Sequence, residues 1–115
     1  MSTLSTILAV ILGVAFLAAG VPKLMNEEKV VANFERWGYA DTIRTAVGAV
    51  EVLAAVMILV GIAVQSLAVG GALILIFIMV GALATHSVHH DPPAQWLPPL
   101  VLLVLDFVFA DSLLP

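Results

Sequence analysis

The sequence lacks cysteine and contains few charged residues. Only 10% of its 115 residues are charged, against about 25% in an ordinary globular domain. The absence of cysteine excludes disulfides, thiolate metal sites and dithiol redox chemistry within this chain. Four Lys and Arg residues and a net charge of -4 do not form the basic patch that nucleic-acid binding requires. We therefore expect no nucleic-acid partner, and with 63% hydrophobic residues we expect a lipid bilayer to surround the protein.

The hydrophobic runs are long enough for four membrane-spanning helices. A helix needs roughly 20 apolar residues to cross the hydrocarbon core, and the expected spans are about 4–22, 44–61, 66–85 and 97–114. Between the second and third, Gly61, Gln65 and Ser66 predict a tight polar turn. Because lipid offers no hydrogen-bond partner to an open strand edge, only helices suit such runs. The sequence predicts an all-α integral membrane protein, with four transmembrane helices in a bundle that forms one domain over 1–115.

The apolar N-terminal segment is expected to be retained as the first span. The sequence "FLAAG" at 16–20 loosely resembles a signal-peptide cleavage site, but no positively charged residue precedes Leu4.

The segment between the first two spans sets the expected orientation. It holds or borders all four cations, Lys23, Lys29, Arg36 and Arg44. The positive-inside rule places loop 23–44 in the cytoplasm, which puts loop 86–96 on the same side and both termini outside.

The same segment predicts a short amphipathic helix at about 26–37. Leu24, Val30, Val31, Phe34 and Trp37 recur at helical spacing, with charged residues between them. Asn26 is expected to cap the start of this helix, and Gly38 to end it. We expect the helix to lie at the headgroup level or under the bundle.

Glu51 is a carboxylate well inside the second span, "VGAVEVLAAVMILVG". Gly48 and Ala55 lie on its face of the helix, and small residues allow a neighbouring helix to approach closely. Glu51 should therefore face the bundle, where Lys23 and His86 end their spans at a similar depth. Such a cluster suits either a polar pocket for a headgroup or quinone, or a buried ion pair that only fixes helix register.

Asp106 is a second acid inside a span, about halfway along the fourth. One possibility is that Asp106 lines the same ligand-binding pocket and serves as a second group that carries protons. Another is that it contacts a partner subunit. A hydrogen bond to neighbouring backbone is the purely structural alternative.

The motif "HSVHH" places His86, His89 and His90 near one another if the helix continues. Imidazole suits Zn²⁺ or Cu²⁺, so these histidines are candidate metal ligands, although a solvated helix end is the commoner arrangement. The pattern also resembles one histidine box of the membrane di-iron desaturases, but those enzymes need several boxes.

Three segments together resemble the DoxX-like family of small bacterial four-helix membrane proteins: "GVAFLAAGVPKL", "VGAVEVLAAVMILVG" and "VGALATH". The resemblance implies a bundle in the bacterial cytoplasmic membrane, with Lys23, Glu51 and His86 at the matched polar positions. It also implies a link to quinol oxidation, to thiol-redox complexes or to accessory roles beside larger enzymes. The missing cysteine argues against thiol chemistry on this chain.

Three functions therefore compete. The first is a redox-associated accessory subunit that binds a hydrophobic ligand, quinone or lipid, or a partner through the polar cluster. The second is a proton-coupled transporter of small molecules, and the third is an enzyme on a lipid-like substrate with Glu51, Asp106 and His86 as acid and base. Whether the protein is an enzyme stays open. Gly70, Gly71 and Gly81 offer close-approach surface for a homo-oligomer or a larger membrane complex.

Overall fold

A computed structural model describes residues 1–115 and contains five helices. They are α1 (Thr3–Leu24), α2 (Glu28–Trp37), α3 (Asp41–Val60), α4 (Gln65–Val88) and α5 (Pro93–Ser112). All except α2 are long and apolar enough to cross a membrane. The prediction of an all-α protein with four spans and a short helix after the first is confirmed.

The four long helices form a ring in which α1 packs on α3, α3 on α4, α4 on α5, and α5 back on α1. We call the end of the bundle that carries α2 and the α4–α5 loop the connector end, and the opposite end the terminal end. At the terminal end, Ser5 Oγ donates to Ser112 Oγ at 2.8 Å, and Gln65 Nε2 donates to the Leu113 carbonyl at 2.8 Å. These bonds tie the two chain ends and the α3–α4 turn together.

Apolar side chains occupy both the centre and the outside of the bundle. The central ones include Leu12, Phe16, Ile58, Leu75 and Phe109, all fully buried. The outer ones include Phe77, which is 77% exposed. An apolar outer surface of this kind suits acyl chains, as expected of a multi-pass membrane protein.

Several helix ends differ from the prediction. α2 begins at Glu28 rather than at an Asn26 cap, because Asn26 has a left-handed backbone with φ of 57°. Ala40 precedes the first turn of α3. Gly38 does end α2, with φ of 81°, a conformation that glycine adopts without steric cost.

The start of α5 was predicted too late in the chain. The helix begins at Pro93, whose missing N–H is not needed in a first turn. Pro98 and Pro99 therefore lie inside α5 rather than in its first turn.

Two of the three glycines that suggested oligomerisation pack within the bundle. A Cβ on Gly71 would lie 2.8 Å from the Ala54 carbonyl oxygen, and one on Gly70 would lie 3.0 Å from Met57 Cε. Only Gly81 has no neighbouring atom within 4 Å of such a Cβ.

Candidate functional site

The close crossing of α1 and α3 positions the first two polar side chains. A Cβ on Gly20 would lie 2.9 Å from the Gly48 carbonyl oxygen, and a Cβ on Gly48 would lie 2.7 Å from Lys23 Cβ. Only glycine permits backbones to approach this closely. The crossing therefore holds Lys23 directly against the face of α3 that carries Glu51.

Lys23 and Glu51 form an ion pair inside the bundle. Lys23 Nζ lies 2.8 Å from Glu51 Oε1 and also donates to the Ala19 carbonyl at 3.0 Å. The carboxylate side chain is 2% exposed and the lysine side chain 18%. The contact with Oε1 has the length of a hydrogen bond but not the alignment of one, so charge attraction dominates it. A buried pair of this kind is costly to break by removing one partner.

Arg44, another potential partner of Glu51, has a different role. Its guanidinium donates to the Lys23 carbonyl at 2.6 Å and to Asn26 Oδ1 at 2.7 Å. It therefore satisfies the C-terminal end of α1, where carbonyls lack helical partners.

His86 belongs to a second polar group, which is centred on Asp91. His86 Nδ1 lies 2.6 Å from Asp91 Oδ2, and Trp37 Nε1 donates to the same oxygen at 3.1 Å. Arg36 Nη1 donates to Asp91 Oδ1 at 2.6 Å, and Arg36 Nη2 to Gln95 Oε1 at 3.0 Å. We call Asp91 with Arg36, Trp37 and His86 the Asp91 clasp. It fastens α2 to the α4–α5 loop.

The donors of the clasp keep Asp91 ionised. The hydrogen bond from Arg36 is the main cause that lowers the pKa of Asp91 well below its usual range, and hydrogen bonds from His86 and Trp37 lower it further. Burial of the carboxylate acts in the opposite direction but is a weaker influence than the bond from Arg36. Asp91 therefore accepts hydrogen bonds and donates none.

A cavity of about 480 Å³ lies between these two polar groups. Its wall is mostly apolar and comes from all five helices. The lining residues are Phe16, Ala19, Lys23, Phe34, Trp37, Tyr39, Ile43, Val47, Glu51, Phe77, Ile78, Met79, Gly81, Ala82, Thr85, His86, Pro98, Pro99 and Leu102. Mostly apolar walls with a few polar groups are typical of sites for small hydrophobic molecules.

Of the four predicted ligand-binding residues, three line this cavity and one does not. Lys23, Glu51 and His86 share its wall, whereas Asp106 lies elsewhere in the core and is fully buried. Neither carboxylate oxygen of Asp106 has a hydrogen-bond partner. The predicted acid and base set of Glu51, Asp106 and His86 is therefore not assembled at one place.

The three candidate metal ligands do not converge. His86 faces Asp91, the His89 ring contacts the Thr85 carbonyl at 2.8 Å, and His90 is exposed in a left-handed backbone conformation. No three His, Cys, Asp or Glu side chains lie together in a way that could hold a metal ion. The helix ends at Val88 and does not continue through the motif.

Sequence reasoning missed the central position of Asp91. Its contacts with α2 join positions more than 50 residues apart. Sequence reasoning also missed the contact of the Tyr39 hydroxyl with Thr85 Oγ1 at 2.8 Å. No local pattern signals either contact.

Comparison with known proteins yields one match. The sequence model of the DoxX-like family matches residues 7–109. No curated protein and no solved structure matches the chain.

Proposed function

Because the chain belongs to the DoxX-like family, we propose that it is a membrane protein that binds a hydrophobic small molecule of the quinone class in the cavity lined by Lys23, Glu51 and His86. The observation that carries this proposal is the placement of these three side chains on the wall of one largely apolar cavity. Its volume of about 480 Å³ lies within the range of ordinary small-molecule sites, about 300 to 1,000 Å³.

The charges around the cavity favour an uncharged head group. Lys23 is balanced by Glu51, and Asp91 is balanced by Arg36. A phosphate head group would have to compete with Glu51 for Lys23, and a cationic ligand would have to compete with Lys23 for Glu51. Because burying an uncompensated charge is costly, a neutral ring with an apolar tail fits better than a charged lipid head.

The same geometry gives less support to the two alternatives. A transporter of cations would need an acid that is available to its substrate, whereas Glu51 is already paired with Lys23. An enzyme that uses Glu51, Asp106 and His86 would need the three groups together, and Asp106 does not line the cavity.

We further propose a redox-associated accessory role in the bacterial cytoplasmic membrane. In this role the chain holds the quinone while a partner protein, or further copies of the chain, completes a larger complex. The proposed orientation puts loops 23–44 and 86–96 in the cytoplasm, since the four cations lie in or beside the first of them.

The binding test uses Trp37 as a reporter, since it lines the cavity. In a Trp96→Phe background Trp37 is the only tryptophan, and its fluorescence in nanodiscs is titrated with a decyl-substituted benzoquinone and with its hydroquinone. Saturable quenching by either compound is expected. Purely linear quenching by both, as for partition into lipid, would overturn the proposal.

Two variants separate the cavity from the surrounding lipid. Gly81→Leu places a side chain in the cavity without a backbone clash, since a Cβ there meets nothing within 4 Å. It should weaken binding by about tenfold or more. Val80→Leu is the matched control, because Val80 is adjacent, 51% exposed and outside the cavity wall. Glu51→Gln should also weaken binding, since it leaves Lys23 without its counter-charge.

A further inference from the structure

The Asp91 clasp fixes where the imidazole of His86 carries its proton. Asp91 Oδ1 accepts from Arg36, and Oδ2 accepts from Trp37. A carboxylate held by two donors is an acceptor only, so the 2.6 Å contact with His86 Nδ1 must be a donation from His86. In the neutral ring, a proton on Nδ1 leaves Nε2 with a free lone pair. His86, which lines the cavity, therefore offers an acceptor to a ligand.

The hydroxyl groups of Tyr39 and Thr85 in the cavity wall have no free donor for a ligand. Thr85 Oγ1 donates to the Gly81 carbonyl at 3.0 Å. The proton in its 2.8 Å contact with Tyr39 must then come from the Tyr39 hydroxyl. The phenol oxygen of Tyr39 keeps a lone pair, which is a second acceptor.

The buried ion pair adds more acceptor capacity than donor capacity. Lys23 Nζ is held by the charge of Glu51 Oε1 at 2.8 Å and donates one N–H to the Ala19 carbonyl, so its ammonium is the one donor group left for a ligand. The lysine contact is with Oε1 of Glu51, which leaves the second carboxylate oxygen, Oε2, as an acceptor for a ligand. The Trp37 indole N–H is already bound to Asp91.

From this inventory we infer that the cavity selects head groups that donate hydrogen bonds, such as a hydroquinone in preference to the matching benzoquinone, and that Asp91 sets this preference as a positioning residue acting through His86. The inference rests on the proposed function and deepens it. A benzoquinone carries two carbonyl acceptors, and the wall offers it a single free donor, on Lys23. A hydroquinone carries two hydroxyl donors and finds acceptors on His86, Tyr39 and Glu51. Buried acceptors that face another acceptor lose their hydrogen bonds to water without replacement.

The first test compares three ligands that share one ring and one decyl tail: the hydroquinone, the benzoquinone and the hydroquinone dimethyl ether. Affinities are measured by anaerobic calorimetry on the full chain in detergent at about pH 8, where an ordinary imidazole is neutral. The hydroquinone should bind about tenfold more tightly than either acceptor-only compound. Equal binding, or a preference for the benzoquinone, would overturn this inference while the proposed function stands. Failure of all three to bind would overturn the proposed function as well.

The second test addresses Asp91. In Asp91→Asn the single amide oxygen is taken by Arg36, so the amide NH₂ faces His86 Nδ1 and the ring proton moves to Nε2. The hydroquinone preference should disappear or reverse. Arg36→Gln is the matched control, since it also weakens the attachment of α2 but leaves Asp91 as an acceptor for His86. An equal loss of preference in both variants would show a structural effect and overturn the role of Asp91.

Imidazole ¹⁵N spectra of the histidine-labelled wild-type protein decide the matter even if Asp91→Asn does not fold. His86→Gln identifies the signals of His86 among the three histidines. We expect the neutral ring to carry its proton on Nδ1, which faces Asp91, and none on Nε2. A neutral ring with its proton on Nε2 would contradict the inference.

Discussion

Gly20 and Gly48 bring the backbones of α1 and α3 into direct contact: a Cβ built on Gly20 would lie 2.9 Å from the carbonyl oxygen of Gly48. This contact places Lys23 next to Glu51, because Lys23 is one helical turn after Gly20 and Glu51 is one turn after Gly48. The crossing therefore gives the acid inside α3 its partner.

Substitution at this crossing should loosen both the bundle and the ion pair. In Gly48→Ala the new methyl group would lie 2.7 Å from Lys23 Cβ and 3.0 Å from the Gly20 carbonyl oxygen. Such overpacking should destabilise the protein by about 1 to 3 kcal/mol, measured by unfolding in mixed detergent micelles. Gly81→Ala is the matched control and should not lose stability, since its methyl group meets nothing within 4 Å. Equal stability of Gly48→Ala and the wild type would show that the crossing is not tight.

The Lys23–Glu51 pair should show strong coupling in a double-mutant cycle. Lys23→Met leaves a buried carboxylate alone, and Glu51→Leu leaves an ammonium whose side chain is only 18% exposed. Each single change should cost about 3 to 5 kcal/mol of unfolding free energy, and the double change should cost less than either. Additive losses in the same unfolding assay would show that the two charges do not interact.

Replacement of Asp106, unlike replacement of Glu51, should not lower the stability of the protein. Both of its carboxylate oxygens are buried without a hydrogen-bond partner, and an unsatisfied buried polar group costs about 1 to 3 kcal/mol. The substitution Asp106→Val, which introduces an apolar side chain of similar size, should therefore leave stability unchanged or raise it by about 1 kcal/mol. A large loss of stability would mean that Asp106 has a hydrogen-bond partner inside the folded core.

The Asp91 clasp should survive moderate acid. The pKa of Asp91 is lowered in the folded protein, so the stability that it contributes is complete above the pKa of an ordinary aspartate, about 3.9. This contribution is lost only as pH falls below that value towards the lower folded pKa.

The fluorescence of Trp37 in the Trp96→Phe protein reports the state of the clasp. Because the His86 ring lies 5.2 Å from the Trp37 ring, the measurement is repeated in His86→Gln. The change in emission caused by Asp91 should appear only below about pH 4 in both proteins. Asp91→Asn should lack this acid transition, because no carboxylate remains at position 91 to be protonated. A transition centred above about pH 5 that persists in the His86→Gln variant would contradict the lowered pKa of Asp91.

The spans and the partner of Glu51 could be predicted from the sequence because both follow from simple counts along the chain. Hydrophobic length located the four long helices, and depth along a helix placed Lys23 and Glu51 at a similar level. Small residues beside Glu51 indicated which face of α3 turns inward.

The rest of the site depends on helix rotation and loop paths, which such counts do not give. Asp106 has a depth that suits a pocket, but the rotation of α5 turns it into the core away from the cavity. Arg44 lies on the same helix as Glu51, but its side chain contacts the end of α1 and not the Glu51 carboxylate. Asp91 is central to the clasp because Arg36 and Trp37 of α2 donate hydrogen bonds to it. These contacts join distant segments of the chain, so no local motif predicts them.

Photoaffinity labelling of the cavity tests the central claim most directly. The probe is a decyl hydroquinone that carries a diazirine on the ring-proximal part of its tail, used in nanodiscs and mapped by peptide mass spectrometry. We predict labels on buried wall residues such as Phe16 and Phe34, and their loss in Gly81→Leu but not in Val80→Leu. Labels confined to lipid-facing residues such as Leu53 and Val104, unchanged in Gly81→Leu, would contradict the account.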